Sequence, residues 1–447
     1  DLCDPGQRAV VATPGEFSPS ECRWVDFGCS CEALAPLPPG VVGPYASVAY
    51  GAGVLAIAAY DKTYGDLILG IYRPAQREQG IRFVLVDGLP FPAEIEGAPD
   101  GPRGGVKAPG PDRGRFVRVA VNGQGGILLA YQDAGTKDLL FARGTADGQG
   151  EYRFQSYVLD EEGDAGSYAA LTLDAYGVPA IAYRVADLPR EGGGRESRVR
   201  IALARDAAPA SRDDWGFFDV AAAPTAGVAA GPTSLPQGIG VGIDLAFTPT
   251  GSLVAVFHDT TQGALWRVAQ DPAGLVFAPA EALDGLPGPD GLDPGDFGFS
   301  PSLLVDGIGL EHITYTDRRR GQLLYLQLPS RSRSIIDDGL RMGEAGDVAI
   351  HRVGADSRLI LDRDGVLHVF YQDATTLDLL EAHPLPGGGF SRQTLAGDER
   401  PYTGAFGFYI DAATTDTGYA VVCHRIDRQA DPEAAGLHLI LRPPVER

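Results

Sequence analysis

Apolar residues along this chain fall in short runs, alternating or continuous, and each run is cut off by glycine, proline, aspartate or asparagine. That pattern predicts many short strands joined by tight turns, because a helix would carry its apolar positions every three to four residues over longer stretches. The clearest stretch is Ser302-Leu-Leu-Val-Asp-Gly-Ile-Gly-Leu-Glu-His-Ile-Thr-Tyr-Thr-Asp317, followed by Gln322-Leu-Leu-Tyr-Leu326. It reads as two strands about an Asp-x-x-Gly turn and a third strand after a short loop.

The same unit returns at Arg358 to Asp373 with Asp378 to Ala382, and at Val119 to Asp133 with Asp138 to Ala142, and weaker copies start near Tyr45, Tyr168, Gly240 and Phe406. Aligning the end of the second strand gives positions 60, 132, 184, 258, 316, 372 and 424. Steps of that size mark the blades of a radial repeat, each a four-stranded antiparallel sheet whose edges the ring protects. The expected fold is therefore all-β, a seven-bladed propeller spanning residues 45–447, preceded by an N-terminal segment, 1–44. The seventh unit stops after its third strand. Cys22-Arg-Trp-Val-Asp-Phe-Gly28 resembles fourth strands such as Ile81-Arg-Phe-Val-Leu-Val-Asp87, so it is expected to complete blade seven and close the ring.

These repeats resemble those of secreted bacterial propellers reading S-L-x-x-D-x-x-G-x-x-H-I-x-Y-x-D, then D-L-x-Y-A. The resemblance covers nearly the whole chain after the closing strand. It implies the fold and leaves the activity open, since propellers of this type serve as lectins, hydrolases, lyases and interaction platforms. The sialidase Asp box, S-x-D-x-G-x-T-W, is absent, so no sialidase role is carried over.

Composition agrees with this reading. Of 447 residues 44% are hydrophobic, enough for a ring of cores, and the 60 glycines, 34 prolines and single methionine suit turns and strands better than helical bundles. A net charge of −22 would repel phosphate backbones, which argues against nucleic acid as a partner. No apolar stretch reaches the 18 residues a spanning helix needs. Four of the five cysteines, Cys3, Cys22, Cys29 and Cys31, cluster near the N-terminus, which predicts two disulfides in an oxidising compartment, while Cys423 reads as a buried thiol. A start at Asp1 without a leader is what removal of an export signal would leave, so a secreted, periplasmic or cell-surface location is expected.

Turns joining the first and second strands are short, whereas insertions gather between blades (88 to 114, 223 to 239, 283 to 299, 338 to 356) and between second and third strands of blades three and seven. These loops share one face of a propeller, where function is expected. Asp61, Asp133, Asp259, Asp317 and Asp373 follow second strands and read as turn formers, as do Asp174, Asp306, Asp362 and Asp411 after first strands. The slot before the former set changes identity, holding Tyr60, Gln132, Arg184, His258, Thr316, Gln372 and His424, and it is expected to ring the channel mouth. Blades three and seven lose the aspartate there, reading Arg184-Val185 and His424-Arg425.

The ligand-binding candidates are Arg184, His258, His424, Arg425, Gln132, Gln372 and Tyr168, and the candidates for acid-base chemistry are His424, His258, Arg184 and Tyr60. Arginine can clamp an acidic group and a histidine near neutrality can move a proton. His312 and His368 read as core residues and His351 as a loop residue. Aromatics near the starts of first strands (Tyr45, Phe116, Tyr168, Phe297, Phe299, Phe406, Phe408) read as plugs between blades, with sugar stacking as the functional alternative. Asp290, Asp293 and Asp296 supply three carboxylates in one loop, the right chemistry for calcium without a full motif spacing; no other cofactor is implied. The expected function is an extracellular or cell-surface binding module holding a glycan or a protein on the loop-rich face. The alternatives are a lyase-like enzyme with His, Tyr and Arg at the channel mouth, and a structural subunit of a larger envelope assembly.

Overall fold

In the computed structural model, among the described residues, every sheet is antiparallel and helix is confined to two short 3-10 turns. It describes residues 20–25, 28–33, 35–38, 40–225, 235–272, 276–287, 295–343, 346–398, 404–427 and 435–442. Seven sheets in chain order make the propeller. The first strands, nearest the axis, are Ser47–Gly51, Arg113–Val121, Asp164–Leu173, Ile239–Phe247, Phe297–Val305, Val353–Leu361 and Ala405–Thr415.

Second strands such as Ile127–Asp133, Leu253–Asp259 and Leu367–Asp373 are buried at every position. Their apolar runs are continuous because both faces of the strand meet a neighbouring blade, and burial on two faces removes the alternation of a half-exposed sheet. The cores accordingly lie between blades. Val54, Leu69 and Ile71 of blade one pack with Val117, Leu129 and Tyr131 of blade two, and Ala46, Val48, Leu55 and Ile57 of blade one pack with Ala420 and Val422 of blade seven.

The aspartates after second strands cap their turns as expected. Asp61, Asp133, Asp259, Asp317 and Asp373 each accept the amide two residues on, at 2.8 to 3.0 Å. Asp174, Asp306 and Asp362 do the same. Asp411 is a correction. It lies inside the first strand of blade seven and accepts bonds from the Ser47 hydroxyl (2.8 Å) and the Val48 amide (2.9 Å) of blade one, so it ties the ring's ends together.

Ring closure is the second correction. Ser20–Val25 pairs with Gly28–Ala33 in its own hairpin, and among the described residues blade seven has three strands. A strand whose partner lies two residues away pairs at little entropic cost, and the ring closes without it. Blades one and seven are instead joined by the packing and the Asp411 bonds just given. Cys3 lies outside the described residues, and the side chains of Cys22, Cys29 and Cys31 do too. Cys423 is a buried free thiol, as expected, and burial pushes it up to about 12, which keeps it protonated and unreactive. No helix among the described residues is long and apolar enough to cross a membrane.

Candidate functional site

The slot before the second-strand aspartate does not face the channel; it faces the next blade. Gln132 donates to the Ala165 carbonyl at 2.8 Å, Arg184 to those of Ile239 and Gln237 at 3.2 and 3.0 Å, Thr316 to that of Gly354 at 2.7 Å and Gln372 to that of Phe406 at 2.6 Å. His258 is fully buried 3.3 Å from the Asp296 carboxylate, and the Tyr60 hydroxyl donates to Asp112 at 2.9 Å. The buried His424 lies against Gly43, and burial drives its imidazole down to about 4. Every member of the slot thus touches the chain where it enters the following blade, and several donors of different length satisfy that one requirement. Arg425 pairs with Asp427 at 3.4 Å and lies over the Phe406 ring. None of Tyr60, Gln132, Arg184, His258, Gln372, His424 or Arg425 lines the cavity on the axis; Tyr168 does.

That cavity, of about 420 Å³, is built by a bulge repeated in the first strands. Strand pairing slips there in blades two to seven, and in every blade one residue adopts a left-handed conformation that turns its side chain to the axis. On blades seven, one, two and three this residue is aromatic: Tyr409 (φ 53°), Tyr45 (57°), Phe116 (53°) and Tyr168 (54°). On blades four, five and six it is Gly242, Ser300 and Asp356. Such a conformation costs a residue other than glycine roughly 1–2 kcal/mol. Two residues earlier stands a glycine in each blade. At Gly354, with φ 93°, a Cβ would lie 2.9 Å from the Thr316 hydroxyl, so the latch and the bulge are fitted to each other.

Neighbouring aromatic rings sit 4.8, 4.7 and 4.9 Å apart, centre to centre, and are tilted by 47, 50 and 46°. These angles are close to one seventh of a turn, about 51°, as expected when each blade holds its ring in the same local orientation. The result is a curved aromatic wall around half the axis, facing a small, polar half.

Two residues further along the strands a second layer carries Arg358, whose guanidinium spans the channel from Asp244 of blade four (2.7 Å) to Asp411 of blade seven (2.8 Å). Arg118 of blade two also lines the cavity and acts electrostatically on Asp356. Burial raises the Asp356 carboxyl, and the Tyr409 amide, donating at 2.8 Å, and Arg118 counter that rise. Burial also raises the phenols of Tyr45, Tyr168 and Tyr409, so they stay protonated hydroxyl donors. Asp356 is the only carboxylate among the described residues lining the cavity.

Asp356, Arg118, Arg358 and Tyr409 were not legible as candidates from the repeat consensus. The signal for the axial position is a Gly-x pair followed by the axial residue, which stands fifteen or sixteen residues before the latch slot, as in Gly114-Arg-Phe116, Gly166-Ser-Tyr168, Gly354-Ala-Asp356 and Gly407-Phe-Tyr409. Of the aromatics read as plugs, Phe297 and Phe406 are core, while Tyr45, Phe116, Phe299 and Phe408 line the cavity. Asp290 and Asp293 lie outside the described residues. Asp296 pairs with Arg318 at 3.0 Å, and among the described residues no three His, Cys, Asp or Glu side chains converge on a metal position.

No family model and no curated protein sequence matches the chain. Among solved structures it is similar to the polysaccharide lyase Uly1 (9% identity, 94% of this chain and 93% of that one, TM-score 0.47). It is also similar to an α-L-arabinanase from Penicillium chrysogenum complexed with arabinobiose (13%, 72% and 92%, 0.45) and to the fucose-specific lectin from Aleuria aurantia (12%, 81% and 100%, 0.39). At such identities the likeness is to the fold alone.

Proposed function

We propose that this protein is an extracellular or cell-surface binding module that takes a sugar residue of a glycan in its axial cavity. The observation that carries the reading is the left-handed ring. The fold is served by glycine or serine at that position, as blades four and five show, yet four contiguous blades hold bulky aromatics there in a costly conformation. A wall of aromatic rings, three of them bearing hydroxyl donors, opposite Asp356 and Ser300 suits a sugar, which has an apolar face and a hydroxyl-bearing edge. Its volume falls within the usual range for small-ligand sites, about 300–1,000 Å³.

Binding is preferred to glycan cleavage because hydrolysis of a glycosidic bond ordinarily uses two carboxylates flanking it, and Asp244 and Asp411 are both committed to Arg358 below. The lyase alternative would need His424 or His258, which are buried behind the ring. A glycan array comparing wild type with Phe116→Ala and Tyr168→Ala tests the proposal. Both variants should lose the wild-type signal by about tenfold or more while melting normally; unchanged binding rules out the cavity.

A protein partner is the second reading. It rests on the hairpin Leu340–Met342 with Val348–Ile350 between blades five and six, where Leu340, Met342, Val348 and Ile350 share one face and are all exposed.

A further inference from the structure

A second pocket of about 390 Å³ adjoins the axial cavity at the seam of blades five and six, and Phe299 lines both. Arg318, Arg319 and Arg352 line it, and among the described residues its one carboxylate is Asp296, which pairs with Arg318. Arg352 makes no ion pair among the described residues, which is unexpected in a chain of net charge −22.

The repeat shows that the fold does not ask for them. In the five blades that keep the second-strand aspartate, the first amide after it bonds to the carbonyl of the residue at the blade's entrance. The entrance residue is Val41 in blade one, Asp112 in blade two, Gly238 in blade four and Asp296 in blade five, but Arg352 in blade six. The donor on the turn is Lys62 in blade one, Ala134, Thr260 and Ala374 in blades two, four and six, and Arg318 in blade five. Blade six therefore has arginine where the other four blades have a neutral or acidic residue, and it meets Arg318 of blade five, at a position that three blades fill with alanine or threonine. The seating is firm: the Val353 amide donates to the Gly321 carbonyl at 3.0 Å, and a Cβ on Gly321 would lie 3.2 Å from the Arg352 Cα. Arg318 lies over the Phe299 ring, 5.2 Å from its centre, which aims the pocket's charge along the wall it shares with the axial cavity.

We propose that this pocket holds the oxyanion of an acidic glycan, a carboxylate or a sulfate ester, next to the sugar in the axial cavity. Guanidinium groups bind both anions through paired charge-assisted hydrogen bonds, and a positive pocket on an acidic protein concentrates the local field. The inference rests on the axial cavity being a sugar site and adds its ligand class.

Calorimetric titration of the full chain with an oligogalacturonide, a sulfated oligosaccharide of equal length and their neutral counterpart tests it. At least one acidic ligand should bind about tenfold or more tightly than the neutral one, with a preference that falls as salt rises. The two acidic arms decide between carboxylate and sulfate. Arg352→Asp, which gives blade six the acid of blades two and five at an exposed position, should remove the preference and leave neutral binding intact; Arg352→Lys should keep part of it. An unchanged affinity of Arg352→Asp for the acidic ligands, or no acidic ligand bound at all, overturns the proposal. Phe116→Ala separates the two readings: if it is silent while Arg352→Asp is not, the axial-cavity reading fails and the oxyanion pocket stands.

Discussion

Asp356 shows how a single residue can carry both strain and chemistry. Its backbone is left-handed, its carboxyl is raised by burial, and it faces aromatic rings from the opposite blades. The glycine two residues before each such position has a different task, since it must combine positive φ with close approach to the preceding blade, and at Gly43, Gly240, Gly354 and Gly407 what it meets is the latch residue. Gly354→Ala should therefore cost about 2 kcal/mol or more in denaturant unfolding, because the new methyl group meets Thr316 and Leu323 and the backbone is strained as well. His424 gives a pH prediction. Its folded value, about 4, lies below the ordinary 6.5, so the unfolded chain binds the proton first. Stability should fall as pH drops from about 6.5 to 4, and His424→Gln should flatten that part of a Tm-against-pH curve. At this scale the turn aspartates could be read from sequence. The latch slot could not, because variation there looks like specialisation until its shared contact with the entrance of the next blade is seen.

Among elements, the blade is the unit of the fold and the seam between blades is the unit of stability. Tyr131, Tyr183, Tyr315 and Tyr371 sit at the same place in second strands and donate to Asp87, Asp160, Asp284 and Asp337 at the ends of preceding fourth strands, at 2.6 to 2.8 Å. Blade four breaks the series with Phe257. Tyr315→Phe keeps the ring but leaves Asp284 short of a buried donor, so a loss of about 1–2 kcal/mol is expected, measured by chemical unfolding. Within blade six, His368 bridges Glu381 at 2.6 Å and Asp362 at 3.3 Å; burial alone would lower its pKa, but these two acids raise it. Its contribution should be complete below about pH 6.5 and vanish as pH rises through the folded value. His368→Gln should remove that alkaline decline. Both histidine positions, 312 and 368, were legible as core because the repeat places them on the second strand.

Over the whole molecule, the ring is held at its centre by charge as well as by apolar seams. Arg358 joins carboxylates of blades four and seven, and Ser302 and Ser47 bond to the same two aspartates. Replacing Arg358 by methionine leaves two buried carboxylates without their cation, and a loss of about 3–5 kcal/mol in unfolding free energy is expected. The number of blades and their strand order follow from the chain alone, because repeat period and apolar runs are local properties that each unit states again. The closing strand, the latches and the axial ring do not. Pairing of residues 20–33 was a competition between a nearby and a distant partner, and which way a side chain points from a bulged strand depends on the blade beside it. The axial site joins residues as far apart in sequence as Tyr45 and Tyr409, so only closure of the ring could bring them together.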